Sequence, residues 1–488
     1  MLSIIVRPAP LRRCIRRAAA LIAIGLPLAG CTVGPNYVRP SADVPTAYKE
    51  AASPGFETAQ PSDALAKGKW WEIYGDAQLD SLEDQVTAAN QDLKAAQARF
   101  EQARAAVQVA RAAYYPTVSG SASGERQRVS ANRPLFSSVS PSNYNDFQLP
   151  IDASWEPDVW GRVRRSVEAA RSEAQASAAD LAGVDLSLHA ELALDYFELR
   201  GLDSQKKLLD STVVSYEKAL ELTNSRYHGG IASAVDVAQA QTQLETTRAQ
   251  DEDTDVQRTA FEHAIAVLIG KAPAEFSQMP TPLAAPPPSV PGSLPSELLQ
   301  RRPDIAAAER RVEEANAEIG VARSAYYPQF ALSGDGGFES SRLGTLLQGP
   351  AGFWALAGSA AELIFDGGQR HGLNAEARAA YDESVDNYRQ TTLSAFQDVE
   401  DNLAALRVLQ NEAKTQDGAV AAAQHSLDLS ITRYKGGVAN YLEVTTAQSA
   451  ALSDEVTAVS ILTRRMAASV LLVKALGGGW NVSQLPSI

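Results

Sequence analysis

Val109 to Pro116 reads VARAAYYP and Val321 to Pro328 reads VARSAYYP, 212 positions further on. The same eight residues with one change, at that distance, mark two equivalent units of about half the chain each, far longer than a solenoid repeat. Leading into the first copy, Leu79, Leu82, Val86, Ala89, Leu93, Ala96, Phe100, Ala103, Val107, Ala110 and Tyr114 alternate spacings of three and four, which is a coiled-coil seam. Ile305, Ala308, Val312, Ala315, Ile319, Ala322 and Tyr326 repeat that seam 212 positions later. Each seam reads as one unbroken helix, ended by Pro116 or Pro328, because proline lacks a donor and disfavours helix at the residue before it.

Beyond each proline the texture changes to Gly, Ser and alternating side chains. Phe147, Leu149, Ile151, Ala153 and Trp155 interleave with Gln148, Pro150, Asp152, Ser154 and Glu156, a period of two with one apolar face. Strands are expected near 117–130, 144–159, 328–341 and 353–365, two per half. Their lengths suit a tilted membrane strand of about 9 to 11 residues. Four strands are too few to enclose a useful channel, and an open sheet edge in lipid leaves its amides unsatisfied. Several chains would therefore share one barrel; a soluble antiparallel sheet is the competing reading.

Two proline-free, alanine-rich stretches, 161–226 and 368–433, each of about 65 residues, would be roughly 100 Å long as single helices. Leu209, Val213, Tyr216, Leu220, Thr223 and Tyr227 set a heptad register in the first. The stretches run into RYHGGIASAVDVAQAQ (226–241) and RYKGGVANYLEVTTAQ (433–448), which share eight of sixteen residues and so read as one turn used twice. Paired glycines, Gly229-Gly230 and Gly436-Gly437, are expected to supply positive φ for reversing the chain. The segments are then 31–77, an irregular N-terminal piece; 78–275, the first unit; 276–295, a proline-rich linker; 296–476, the second unit; and a tail, 477–488.

Residues 1–30 hold five arginines, no acid and the apolar run AAALIAIGLPLAG, the charge order of a signal peptide. Leu28-Ala29-Gly30-Cys31 has the form of a lipobox, which makes Cys31 the expected acylation site, with a palmitate-bearing lipid anchor; an ordinary secretory signal with a chance cysteine is the alternative. Cys14 would leave with the signal, so no disulfide or thiolate–metal site is expected. The formal charge of −14, more negative still without the five arginines, argues against nucleic acid, whose phosphates need a basic face. No segment after residue 30 reads as apolar enough for a transmembrane helix, so a membrane crossing would fall to strands.

CTVGPNYVRP at Cys31, WWEIYGDAQLDSL at Trp70, DVWGR at Asp158, LPSELLQRRPDIAAAE at Leu294, IFDGGQR at Ile364, the two RYxGG turns and ALGGGW at Ala475 together resemble the TolC-like outer-membrane factors, within them the OprM/NodT-type lipoproteins. The resemblance spans essentially the whole mature chain. It implies an α+β membrane protein with two internal repeats: four strands per chain, twelve in a homotrimeric outer-membrane barrel, continuous with a long periplasmic coiled-coil barrel. It also implies an export duct in outer-membrane lipid, working with a periplasmic adaptor and an inner-membrane pump.

By the same resemblance, the turns at Gly229, Gly230, Gly436 and Gly437 would be periplasmic tips that meet the adaptor. Asp236 matches a family aspartate that latches neighbouring coils, and Tyr434 a gate tyrosine. Ala439 stands where the family has an arginine, and Thr446 where OprM-like chains have a ring aspartate. Glu443 is then the candidate for a cation-selecting ring, since symmetric copies concentrate negative potential. Asp236 and Glu443 would equally serve as helix-start acids favoured by the dipole. Tyr114, Tyr115, Tyr326 and Tyr327 mark the helix–strand joint. Among His189, His228, His263, His371 and His425 no metal-ligand spacing appears, and no phosphate loop, nucleophile elbow or CxxC pair is present. No catalysis, cofactor or metal is therefore expected. A lipid-anchored periplasmic coiled-coil scaffold is the alternative to a duct.

Overall fold

In a computed structural model, residues 32–50, 56–58, 68–130, 132, 134, 143–292 and 295–488 are described. Cys31 and the signal region lie outside them. The helices are α1 (Ala77–Ala89), α2 (Gln91–Ala112), α3 (Arg162–His228), α4 (Ala234–Leu268), α5 (Pro295–Arg301), α6 (Pro303–Ser324), α7 (Gln369–Lys435) and α8 (Tyr441–Ala475). The two long ones, α3 and α7, have 67 residues each, and α4 and α8 have 35 each. At 1.5 Å per residue the long helices extend roughly 100 Å.

The seam from Leu79 to Tyr114 is not one helix. Asn90 leaves the helical region at ψ 132, ends α1 and starts α2, its side chain accepting from Leu93 N while its Nδ2 donates 2.8 Å to Leu268 O at the end of α4. One amide thus closes one helix and opens another, which explains a break inside an otherwise regular seam. Helix α4 thereby abuts α2, and α8 abuts α6 in the same way: Arg302 Nη1 donates 3.3 Å to Ala475 O just before Pro303 begins α6. Each long helix is flanked by a partner made of two shorter helices laid end to end. At the upper end α2 and α6 stop at Ala112 and Ser324, four residues before each proline, in short turns through the paired tyrosines.

The sheet is antiparallel in the order β2 (Thr117–Gly120), β4 (Asn143–Trp155), β6 (Gln329–Ser340), β7 (Gly352–Ala361), with β3 (Ser123–Arg128) also pairing β4. The expected first strand is therefore two pieces separated by Ser121 and Ala122. A separate parallel pair joins β1 (Phe56–Thr58) to β5 (Val290–Gly292). The register of the large sheet places Leu149, Ile151, Ala153 and Trp155 opposite Phe338, Gly336, Gly334 and Leu332. Those glycines in turn face Trp354 and Leu356, while Leu332 faces Gly358. Bulky residues meet glycines across the strands, so one face is apolar throughout. Asp152 opposite Asp335 and Gln148 opposite Glu339 define the other.

The largest core lies midway along the helices. Trp70 and Trp71, in a short 3-10 turn, pack with Leu79, Leu192, Tyr196, Ile265, Leu298, Leu403 and Val470. Full burial of side chains this large contributes roughly 1.5–3 kcal/mol each. One expectation is corrected here: α8 contains an 18-residue window of mean hydropathy 1.6, long and apolar enough by composition to cross a bilayer. Its Met466, Val470, Leu472 and Val473 belong to this core, which is why the helix is so apolar.

Candidate functional site

Each long helix ends at its tip in the same hydrogen-bonded turn. Ile231 N donates to Arg226 O and Gly230 N to Tyr227 O; Val438 N donates to Arg433 O and Gly437 N to Tyr434 O. This paired pattern is a Schellman closure, which needs one left-handed residue. Gly230 has φ 76 and Gly437 φ 73, whereas Gly229 (φ −76) and Gly436 (φ −72) are right-handed helix ends. Only the second glycine of each pair supplies the positive φ that had been expected of both.

Past the turn the tips diverge. Ser233 and Asp236 form a reciprocal capping box, with Asp236 N donating 3.2 Å to Ser233 Oγ and Ser233 N donating 2.8 Å to Asp236 Oδ2. In the second tip Asn440 accepts from Glu443 N at 3.2 Å, which leaves the Glu443 carboxylate to pair with Arg433 at 3.3 Å. Tyr434 is buried against Tyr441, ring centroids 5.2 Å apart, in a small cluster with Ala240 and Val444. Arg226 reaches across from the first hairpin: its guanidinium lies 4.6 Å from the Tyr434 ring centroid and its Nη1 donates 3.1 Å to Lys435 O. The structure thus joins Tyr434 to the first hairpin through Arg226, while the hydrogen bonds of Asp236 to Ser233 stay within its own cap. Arg226 and Arg433 were missed in the sequence because they read as the ordinary basic ends of helices.

Both tips end in exposed apolar residues at equivalent places, Ile231 and Val235 in one, Val438 and Leu442 in the other. Between α4 and α8, Val235, Gln239, Gln243 and Leu442 border a cavity of about 500 Å³.

At mid-length the core holds a charged cluster that no sequence spacing points to. Glu83 is buried on α1 and accepts or donates at 2.6 Å with His189 Nδ1 on α3; Asp185 lies 3.4 Å from Nε2, and Trp71 stacks on the imidazole at 4.4 Å. Burial pushes the Glu83 carboxyl up to about 7 despite the pull of His189. Burial alone would lower His189, but hydrogen bonds and charge from Asp185 and Glu83 outweigh it and raise the imidazole to about 9. Near neutral pH the imidazole is therefore charged and the carboxyl is close to its midpoint, and their hydrogen bond fastens α1 to α3. Among the described residues no group of side chains is arranged to hold a metal.

At the upper end an N-terminal strap runs over α3 and α6. Val33 N donates 2.9 Å to Trp160 O, Asn316 Nδ2 donates 3.1 Å to Pro35 O, and Arg39 pairs with Glu309 at 3.2 Å. A methyl on Gly34 would stand 2.5 Å from Gly320 Cα, so that close crossing requires glycine. Asp158 and Asp366 start the long helices: Asp158 accepts from Val163 N and Arg164 N, and Asp366 from Gly368 N and Arg370 N. DVWGR and DGGQR are thus the fastenings between strand and tunnel helix.

A sheet of four strands, the first in two pieces, with one apolar face and set on helices about 100 Å long, has the build of a membrane duct component. The chain belongs to the outer membrane efflux protein family, whose model matches residues 82–271 and 294–478. It is 32% identical over 466 residues to outer membrane protein OprJ of Pseudomonas aeruginosa, covering 94% of this chain and 95% of that one. It is also 32% identical over 458 residues to the antibiotic efflux pump outer membrane protein ArpC of Pseudomonas putida, covering 93% of each. Among solved structures, the outer-membrane channel OprN superposes with a TM-score of 0.86 at 28% identity, covering 92% of this chain and 100% of that one. This is an outer-membrane efflux channel protein with a periplasmic helical extension.

Proposed function

We propose that three copies of this chain close into a passive exit duct for small molecules such as drugs or toxic compounds, driven by an inner-membrane pump and joined to it by a periplasmic adaptor. The observation that supports this reading is the pair of free edges. Among the described residues, strands β2/β3 and β7 each pair on one side only, and in the upper helical layer, ordered α2, α3, α6, α7, the outer members are α2 and α7. Sheet and helices thus leave unlike edges free on opposite sides, the arrangement of a head-to-tail ring. Three copies supply twelve strands, enough for a barrel with an open lumen, and closure removes the edges that lipid forbids. Trp354, Leu356, Ile364 and Phe365 are all more than three-quarters exposed in one chain, and lipid would cover them.

In this reading residues 1–30 are removed, Cys31 carries the lipid, and no step is catalysed. The turns at Gly229, Gly230, Gly436 and Gly437 face the adaptor, and Tyr434, Asp236 and Glu443 act at the periplasmic constriction, with Arg226 and Arg433 as their basic neighbours. Three copies of Glu443 around an axis would favour cations. The names of the relatives suggest organic toxicants as the class of cargo; the pump and adaptor choose among them. Purified chain reconstituted in a planar bilayer should conduct, with a native mass of three subunits. A silent bilayer, together with solubility once the acyl chain is removed, would instead make the chain a lipid-anchored scaffold.

A further inference from the structure

A cavity of about 640 Å³ opens where the helices pass into strands, bounded by Thr32, Trp160, Arg323, Tyr326, Tyr327 and Asn374. Its walls differ from the rest of the joint in three respects. The Trp160 ring is held in place, with Nε1 donating 2.8 Å to Pro328 O and the ring stacked on Tyr327 at 4.9 Å and 29°. Arg323, in the last turn of α6, has no acidic partner among the described residues, although Arg165 and Arg370 close by have Glu168 and Asp366. The Asn374 Oδ1 is buried and finds no donor among the described residues, a cost that a native site does not carry without a reason. The cavity therefore offers an unpaired guanidinium, stacked aromatic rings and an orphan acceptor within one small volume.

Its level in the molecule narrows the ligand. Thr32 follows Cys31 directly, and β6 begins at Gln329, one residue past Pro328, so the cavity sits beside the strand ends and the point of lipid attachment. Aromatic rings at strand ends belong at the head-group layer. We propose that this cavity binds the head group of an ethanolamine phospholipid from the periplasm-facing leaflet, with its phosphate on Arg323 and its ammonium against the Trp160–Tyr327 stack and Asn374 Oδ1. A guanidinium fork matches phosphate oxygens, and an aromatic face attracts an ammonium. The primary ammonium also has an N–H to give Asn374, which a choline head group lacks, and a glycerol head group lacks the cation. The thioether lipid expected on Cys31 carries neither charge and would leave Arg323 and Asn374 unserved. The inference rests on the outer-membrane placement above and is independent of conduction.

The test is native mass spectrometry of the full assembled chain after exchange into detergent with equal amounts of ethanolamine, choline and glycerol phospholipids. Wild type should retain about one ethanolamine lipid per chain, preferred roughly tenfold over choline, since a charge-assisted bond is at stake. Arg323→Gln should lower retention of all three by about tenfold with assembly intact, and Asn374→Leu should bring ethanolamine down to the choline level. Equal retention of the three head groups by wild type, which requires no variant, would overturn the proposal, as would undiminished retention in Arg323→Gln. Cys31→Ser should keep the same ethanolamine count; a count that appears only when the covalent lipid is gone would mean that this lipid fills the cavity, and would overturn the assignment. Conductance of the same preparations separates the two readings. Conduction without lipid retention removes the lipid site alone, and retention without conduction removes the duct alone.

Discussion

Tyr227 and Tyr434 occupy the same place in two turns with the same hydrogen bonds, yet one is 44% exposed and the other 5%. The partner seven residues on explains this: Ala234 follows the first turn, and Tyr441, which covers Tyr434, follows the second. A parallel contrast occurs at mid-length. The residue 207 positions beyond His189 is Phe396, so the first half places a charged pair in the core where the second places a phenyl ring. The backbone plan is shared by the two halves, and side chains at a few equivalent positions give each its own neighbours. One tip is closed by a capping box and reaches out with Arg226, and the other is the one it clasps, through the Tyr434 ring and Lys435 O.

Tyr434→Ala should break the contrast most strongly. Loss of a buried ring costs about 3–5 kcal/mol, whereas Tyr227→Ala, at the surface, should stay within about 0.5 kcal/mol. Hydrogen exchange of the amides at 431–445 and 224–238 reads this directly, and equal loosening of the two tips would remove the distinction. Next in size is the mid-length pair. The folded His189 pKa of about 9 lies above its ordinary 6.5, so its contribution is complete below 6.5 and is lost as pH rises through 9. Glu83, raised from 4.5 to about 7, favours its protonated form in the fold, so its contribution also falls with rising pH, between 4.5 and 7. Stability should thus decline by about 4 kcal/mol between pH 6 and 9, most of it from His189. The double variant Glu83→Leu, His189→Phe, in which the phenyl copies Phe396, should flatten that profile in thermal unfolding at no net loss.

Smaller effects sharpen the tips further. Ser233→Ala removes the Oγ that accepts from Asp236 N while the Ser233 N–H keeps its bond to Asp236, and Asn440→Ala likewise removes one cap bond; each should cost about 1 kcal/mol, read by local exchange protection. Glu443→Gln removes an exposed ion pair and should change stability by less than about 0.5 kcal/mol. It should nonetheless reduce cation preference in single-channel recordings; unchanged reversal potentials would take Glu443 out of the constriction.

The sequence made the helices and most strands legible because their patterns run along the chain. The apolar face of β6 and β7 was harder to read, since Gly334 and Gly336 interrupt it. It is completed across the strands by Leu356 and Trp354, and only the register reveals that complement. Asn90 hid because a polar residue in a 3-4 seam looks like solvent exposure, and its role depends on Leu268 O, 178 residues away. Glu83 and His189 are 106 residues apart, too far for spacing to associate them. Asp236 could be read either as a latch or as a helix-start acid; the cap geometry is visible, and the latch requires the neighbouring chains.

The splices at Asn90 and Arg302 have a mechanical meaning. A 67-residue helix resists bending along its whole length, because curvature stretches an unbroken ladder of hydrogen bonds. A strut made of two rods touching end to end lacks that ladder at its joint, where Asn90 to Leu268 O on one side and Arg302 to Ala475 O on the other bridge the two ends. Pairing a continuous beam with a jointed one gives the lower tube a defined place to twist, near the stiff mid-length core and far from the sheet. An iris that turns at its tips could therefore open while its membrane rim stays still.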